Sequence, residues 1–432
     1  MLKGYREYKK TEILWLQKMP SHWHSQRAKT MYTKMNRSVD KNDDVVTCFR
    51  DGVVTLRKNR RTTGFTESVK EIGYQGIKKG DLVIHVMDAF AGAIGVSDSN
   101  GKGTPVYTVC MAKGNYNNYY YAFVVREMAK SGFIQSLYRG IRERSSDFRY
   151  EVFGKQLLPI PSRSEQDQIV RYLDWKISMI NKYINAKKKQ IELLKEQKQT
   201  IVNEMVTSGG KNWEKIPLRK FLRPVAERNR ADLPLLSVVR EQGVILRDID
   251  NYEDNHNFIP DDLSNYKVVY AGQFVMNKMK AWQGSYGVSA YDGIVSPAYY
   301  VFNLVCDCVD FFHIAIRSRY YINKFAQHSI GIRIGQWDLP IDRIKEISFL
   351  LPPLTEQHSV VEYINKQCAF INKLIKVLNS EIVLFTEYRT RLISDVVTGK
   401  VDVQGEKVPE FAVENENSPG IRQETEGDID DE

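Results

Sequence analysis

The sequence predicts an α+β protein in which two β-rich globular domains alternate with two long helices. The helices are expected to pair as an antiparallel coiled coil, giving the chain pseudo-two-fold symmetry. Three observations predict this. Residues from Pro161 to Thr207 recur from Pro352 to Thr398 at a constant offset of 191 without a gap. Both copies carry apolar residues at helical, heptad-like spacing. Upstream of each copy lie matched stretches rich in Val, Ile, Tyr and Phe and punctuated by Gly, which is strand composition. A repeat of this length means two similar modules in one polypeptide.

The expected layout follows in chain order: a first globular domain over residues 1–156, a helix over 157–210, a second globular domain over 211–348, a second helix over 349–401, and a tail over 402–432. In the globular domains Gly80–Ile84 matches Gly272–Met276, Gly92–Ser97 matches Gly284–Ser289, and Pro105–Tyr107 matches Pro297–Tyr299, all at an offset of 192. Gly140–Arg142 matches Gly331–Arg333 at 191. Between the matches the halves diverge: residues 57–70 have no counterpart in 247–262. A shared framework with divergent loops is how two domains of one fold bind two different ligands. The run Tyr119–Tyr121 reads as strand core.

Each helix opens on the same pattern, Pro161-Ser-Arg-Ser164-Glu165-Gln166 and Pro352-Pro-Leu-Thr355-Glu356-Gln357. Ser164 and Thr355 are expected N-caps, with Glu165, Gln166 and Glu356 in the first turn, where acceptors are favoured. Gly209 and Gly399 are the expected stops. The first helix places Leu173, Ile177, Ile180, Ile184, Ile191, Leu194, Ile201 and Met205 on one seam, interrupted by Lys187 and Lys198. The second places Ile364, Cys368, Ile371, Ile375, Leu378, Ile382, Phe385, Leu392 and Val396 there, interrupted by Arg389. A single apolar stripe on a helix of about 45 residues needs a partner, and the other copy is the most economical one. The alternative is two amphipathic helices, each packed on its own domain.

Charge is unevenly spread. The net of +9 combines a segment from Asp402 onward at −9 with residues 1–401 at about +18. The acidic, polar tail is expected to be disordered, and the basic body points to a polyanion partner. Five cysteines, Cys48, Cys110, Cys306, Cys308 and Cys368, form no CxxC pair and suggest no disulfide framework; Cys306 and Cys308 are expected in core or strand. Residues 1–10 carry no apolar stretch of a signal peptide, and no run approaches the roughly 18 apolar residues of a membrane span. A cytoplasmic protein without membrane contact is expected.

Catalytic signatures are missing. There is no phosphate-binding G-x-x-x-x-G-K-[ST], no [DN]-P-P-[YF], no E-x-K after Pro260-Asp261, no H-E-x-x-H and no nucleophile elbow. His22-x-His24, flanking Trp23, reads as a surface or packing pair. No cofactor or metal is expected on this chain.

The repeated P-x-x-[ST]-E-Q before a long helix resembles the DNA-specificity subunit of type I restriction–modification systems. So do Tyr8, Trp15-Leu16 and Met19-Pro20-Ser-His-Trp23 at the start, Trp213-Glu-Lys-Ile-Pro217-Leu218 opening the second half, and the closing run from Ile393 to Val403. The resemblance covers residues 5–403. Gln17-Lys18-Met19 departs from the commoner residues before Pro20, and the acidic tail is extra. The resemblance implies two target-recognition domains, each reading half of a split, asymmetric double-stranded DNA sequence. It implies that the paired helices act as a ruler between them and dock two methyltransferase subunits, which restriction and translocase subunits join. S-adenosylmethionine, ATP and magnesium would then sit only on those partners, and this chain would be non-catalytic. The alternatives are a coiled-coil protein scaffold or a DNA-binding protein working without a methyltransferase.

Candidate DNA contacts in the first domain are the basic run Arg57, Lys58, Asn59, Arg60 and Arg61, and the amide-rich Asn115, Tyr116, Asn117 and Asn118, suited to adenine edges. In the second domain they are Lys278, Lys280, Trp282, Gln283 and Tyr286, which lie between matched framework stretches. Arg142 and Arg333, kept in both halves, are expected on phosphates. Lys187–Lys189 are expected to solvate the helix.

Overall fold

The computed structural model describes residues 3–40, 42–60, 72–137, 147–210, 212–247, 260, 262–333 and 336–411, with backbone only at 332, 333 and 336. The chain is α+β and divides into two compact units. One contains residues up to Ala186 together with those from Glu381 onward; the other is Lys187–Ser380. Each unit therefore takes one globular domain, part of one long helix and part of the other. Among the described residues no helix is long and apolar enough to cross a membrane.

The two domains copy each other strand for strand. In the first unit an antiparallel sheet runs in the order Tyr32–Lys34, Tyr107–Ala112, Leu82–His85, Ile94–Val96. In the second the order is Leu222–Val225, Tyr299–Leu304, Phe274–Asn277, Tyr286–Val288. Side-chain alternation along a strand splits each domain core in two. Leu82 and Ile84 face the larger, helix-covered core, whereas Val83 packs with Val46, Cys48, Val54, Ile77 and Val109. Phe274 and Met276 face the helix-covered side of their domain, and Val275 joins Leu236, Val238, Val244 and Val301. The second side is roofed by a hairpin in each case, Val46–Cys48 with Val54–Leu56 and Leu236–Val239 with Gly243–Leu246.

Tyr119–Tyr121 belong to the helix Asn118–Lys130, not to a strand. Tyr120 and Tyr121 are fully buried and Tyr119 is exposed. Asn117 caps this helix by accepting from the backbone N–H of Tyr119 and Tyr120, and that side-chain cap decides for helix over β-propensity. Cys308 is buried ahead of the helix Val309–Ile316, and Cys306 is half-buried; neither lies in a strand.

The long helices span Arg163–Thr207 and Leu354–Val397. They start two residues before the expected caps imply, yet later than the expected bounds of 157 and 349, where Leu157–Ile160 and Ser348–Leu351 are strands. Ser162, not Ser164, offers its Oγ to the Glu165 N–H at 3.3 Å. Thr355 is already inside the second helix, and the carbonyl of Pro353 receives the N–H groups of Glu356 and Gln357. The repeated Gln closes each turn from behind: Gln166 Nε2 donates to the Pro161 carbonyl at 3.0 Å, and Gln357 Nε2 to the Pro352 carbonyl at 2.8 Å. The repeated Glu accepts from the tryptophan that begins each half. Trp23 Nε1 donates to Glu165 at 2.9 Å, and Trp213 Nε1 to Glu356 at 2.9 Å.

Leu173, Ile180, Ile184, Ile191, Ile364, Ile371, Leu378 and Leu392 are buried along the helices. Ile177, Leu194, Ile201, Ile375, Ile382 and Phe385 are half-buried. Within each unit the helix segments run antiparallel. In the first, Tyr183 stacks on Phe385 at 5.8 Å, and Arg389 donates to Asn181 Oδ1. In the second, Lys198 Nζ donates to Asn372 Oδ1 at 3.2 Å. Asn181 and Asn372 are 191 residues apart, as are Lys198 and Arg389. The matched seam cations Lys198 and Arg389 are thus met by the same asparagine of the opposite copy.

The expectation of a disordered tail from residue 402 is corrected for its first ten residues. Val403 and Val408 are buried, and Phe411 packs on the core of the first unit. The Asp402 N–H donates to the Lys3 carbonyl at 2.9 Å, and Gln168 and Arg171 hold the carbonyls of Val403, Glu406 and Val408. Three apolar anchors outweigh the acidic composition here; residues 412–432 lie outside the described part. Glu165, 3 % exposed, also accepts from Tyr5 Oη at 2.6 Å and Gln404 Nε2 at 3.0 Å, and His22 Nε2 lies 3.0 Å from its other oxygen. Glu165→Ala strands two buried donors, Tyr5 Oη and Trp23 Nε1, and is expected to lower unfolding free energy by about 3 kcal/mol, against about 1 kcal/mol for Glu356→Ala with one part-buried donor; urea unfolding of the two variants checks the asymmetry.

Candidate nucleic-acid interface

In each domain the polar surface around the roofing hairpin gathers three segments: the hairpin turn, the short 3-10 segment after the third sheet strand, and an arginine from the helical layer. In the second unit the turn is Arg240–Gln242, followed by Gly243 at φ +77°. Arg317 reaches under it, donating to the carbonyls of Arg240 at 3.0 Å, Glu241 at 2.8 Å and Tyr286. Burial lowers the pKa of this guanidinium. The first unit also places an arginine, Arg126, against a glycine of positive φ, Gly52 at +91°, which lies one residue earlier in its turn because the hairpins correspond at an offset of 190. A Cβ at Gly52 would strike the Arg126 guanidinium, and one at Gly243 would lie 2.9 Å from Arg317 Nη1. Only glycine fits both the left-handed backbone and the arginine.

In the first unit this turn also joins two of the basic stretches. Arg50 Nη2 pairs with Asp88 Oδ1 at 3.2 Å, at the start of the 3-10 segment Ala89–Ala91. Asp51 Oδ2 pairs with Arg60 Nη1 at 2.7 Å, and Arg60 lies 4.6 Å over the Phe49 ring. Lys58 pairs with Asp44 at 2.6 Å, Arg57 Nε donates to Thr47 Oγ1 at 3.3 Å, and Asn59 Nδ2 to Thr55 Oγ1 at 2.9 Å. The basic run is therefore partly neutralised by nearby carboxylates. The exposed pair Lys58–Asp44 holds only about 0–1 kcal/mol, so it exchanges readily for a stronger anion. Arg61 and Arg142 lie outside the described residues, as do most of the divergent loops.

The amide cluster is built into the fold. Asn115 Oδ1 accepts from Arg163 at 2.6 Å; Asn117 caps a helix and donates to Asp167 at 2.6 Å; Asn118 accepts from Tyr32 Oη at 3.1 Å and donates to the Gly80 carbonyl at 2.7 Å. Tyr116 Oη donates to Gln26 at 3.2 Å, and its ring meets Tyr121 edge-on. Asn115 and Asn117 join the domain to the first long helix, and Asn118 bridges Tyr32 and Gly80, so the amides of Asn117 and Asn118 are engaged within the fold.

In the second unit Lys280 is exposed, Gln283 half-buried, and Lys278 lies 3.9 Å from Asp338. Trp282 packs on Trp337 with ring centres 5.0 Å apart, and its indole N–H is buried without a partner. Tyr286 is a correction: it is fully buried against Phe274 and Phe325 and reaches no surface. Arg333 ends the strand Ile330–Arg333, opposite Gln336. Lys187 is half-buried, and Lys188 and Lys189 are exposed. Sequence reasoning missed the two clamp arginines and the turns they hold. Their common offset of 191 was the available signal.

Among the described residues no group of three or more His, Cys, Asp or Glu could hold a metal ion. The buried thiols of Cys48 and Cys110 are pushed well above the usual range by desolvation, which disfavours the reactive thiolate. The arrangement offers exposed donors and acceptors on fixed turns, a chemistry of recognition.

Beside the clamp of the second unit, burial and then Arg317 push His313 down to about 4, and its Nδ1 accepts the Val288 N–H at 3.1 Å. The folded-state pKa is below the unfolded one, so this stability is present above about pH 6.5 and lost as pH falls towards 4. Urea unfolding is expected to show a loss approaching roughly 3 kcal/mol across that window, flattened in His313→Gln.

No protein-family model matches the sequence, and no curated protein matches it. Solved structures do. A chain from a structure on complex assembly and conformational transition of the type I R-M system superposes with a TM-score of 0.66 at 11 % identity, covering 89 % of this chain and 99 % of that one. The HsdS subunit from Thermoanaerobacter tengcongensis gives 0.47 at 13 % identity, over 89 % and 98 %. The type I restriction–modification S subunit from M. genitalium gives 0.34 at 10 %, over 95 % and 100 %. At 11 % identity the likeness to the first of these is one of fold.

Proposed function

We propose that this chain is the specificity subunit of a type I restriction–modification complex, a non-catalytic protein that reads a bipartite, asymmetric DNA sequence. The observation that carries the reading is a four-stranded sheet with a roofing hairpin copied in both units, while residues 57–70 and 247–262 are unlike in sequence. One framework carrying two different surfaces suits two unlike half-sites better than a palindrome. A body of about +18 supplies phosphate contacts, affinity and salt dependence. The fold shared with the type I R-M chain supports this reading over an unrelated scaffold.

In this reading the long helices set the spacing between half-sites and dock two methyltransferase subunits, which bring S-adenosylmethionine; restriction and translocase subunits, using ATP and magnesium, join that core. The second helix supports docking, because Tyr363, Phe370, Leu374 and Val377 are exposed at heptad-like spacing beside the buried seam. Such a second apolar stripe suits packing against further helices.

The test is reconstitution with the partner methyltransferase, followed by sequencing of the modified DNA. Methyladenine is expected in two half-sites at a fixed spacing, with none from the isolated chain plus S-adenosylmethionine; methylation by the isolated chain overturns the non-catalytic assignment. Inserting seven residues into both helices, in register, is expected to change the spacer and leave both half-sites unaltered in the same assay. Altered half-sites with an unchanged spacer would sink the ruler.

A further inference from the structure

We propose that the clamped hairpin turns are specificity determinants: Arg240, Glu241 and Gln242 in the second unit, with Arg50 and Asp51 their counterparts in the first. The inference rests on the DNA-reading function above and assigns base selection to residues outside the basic runs. Three observations carry it.

First, the turn is held more firmly than an ordinary surface loop requires. A guanidinium taken out of water is costly unless it is fully hydrogen-bonded, yet Arg317 is spent on carbonyls of the turn and of Tyr286. A glycine with positive φ makes room for the clamp in both units. Recognition needs this kind of fixed main chain, because a base edge is read only when the donor position is set in advance.

Second, in the second unit the clamp grips backbone and leaves the side chains free to change. The strand pairing sets residues 45–57 on 235–247 at an offset of 190, so Arg50-Asp51 stands where Arg240-Glu241 stands and Gly52 where Gln242 stands: both turns present an arginine beside a carboxylate, and the second adds an amide.

Third, the chemistry is that of base edges. Arg240, Glu241 and Gln242 are all exposed. Arginine suits the O6 and N7 of guanine, glutamine the N6 and N7 of adenine, and glutamate the N4 amino group of cytosine. A glutamate gains nothing from a phosphate, so its place on this turn argues for bases over backbone. In the first unit the pairs Arg50–Asp88 and Asp51–Arg60 orient the equivalent side chains before any ligand arrives.

The experiment uses the full chain reconstituted with its methyltransferase, with sites mapped by sequencing methylated DNA. The triple variant Arg240→Ala, Glu241→Ala, Gln242→Ala is expected to lose discrimination by roughly 10–100-fold at one to three positions of one half-site. The other half-site and the spacer are expected to stay as they are. An unchanged half-site with unchanged discrimination overturns the proposal. Should the triple variant give no methylation, Gln242→Ala alone decides by the same criterion, since an exposed single substitution leaves the clamp intact. A wild-type complex that methylates without any sequence preference overturns the DNA-reading function itself, and the turn assignment with it.

Discussion

The hydrogen bond between a tryptophan indole and the first-turn glutamate of each long helix is the interaction on which the rest of the molecule depends. It is made twice, Trp23 to Glu165 and Trp213 to Glu356, and each time it ties the beginning of a domain to the beginning of the helix that follows it. A carboxylate removed from water costs several kcal/mol, and only charge-assisted bonds of good geometry offset that. At Glu165 the indole, a tyrosine hydroxyl and a glutamine amide all donate, with His22 beside them, while the helix N-terminus adds its own favourable field. Move the carboxylate and the helix loses its direction relative to the sheet, and with it the seam.

The long helices were the most legible part of the sequence, because apolar periodicity over dozens of residues tolerates local error. Every seam position read from the spacing is buried or half-buried. Their first turns were less legible: a serine two residues before the expected cap does the capping, since several polar residues compete there and only geometry chooses. Asn117 and Asn118 were ambiguous for a related reason. Amides that could read a base can equally cap a helix, and composition does not say which. Tyr286 misled because a polar-tipped aromatic in a presumed loop turned out to fill the core. Arg126 lies within a helix and Arg317 at the end of one, both in segments that look like ordinary core, and the partners of Arg317 are backbone carbonyls, which leave no trace in composition.

The reciprocal pairs at the seam show how a duplicated helix handles charge. Arg389 meets Asn181, and Lys198 meets Asn372. A cation on an apolar stripe would be destabilising alone, but an amide oxygen opposite accepts from it without introducing a second charge to desolvate. Because each pair takes one member from each copy, a shift of one helix by a turn would break both. Polar seam residues fix register in coiled coils in this way, and here the duplication supplies the partner for each.

The segment Val403–Phe411 gives the two units different histories during synthesis. Everything in the second unit lies within residues 187–380, so its contacts become available once that stretch has been made. The first unit holds a glutamate whose donors come from residues 5, 23 and 404, and a backbone bond between Lys3 and Asp402. Its closure joins residues nearly 400 apart, which carries a larger loop entropy and a slower search. The domain translated first is therefore the one completed last, and until the chain has been extended to Phe411 its helix-covered core stands partly open.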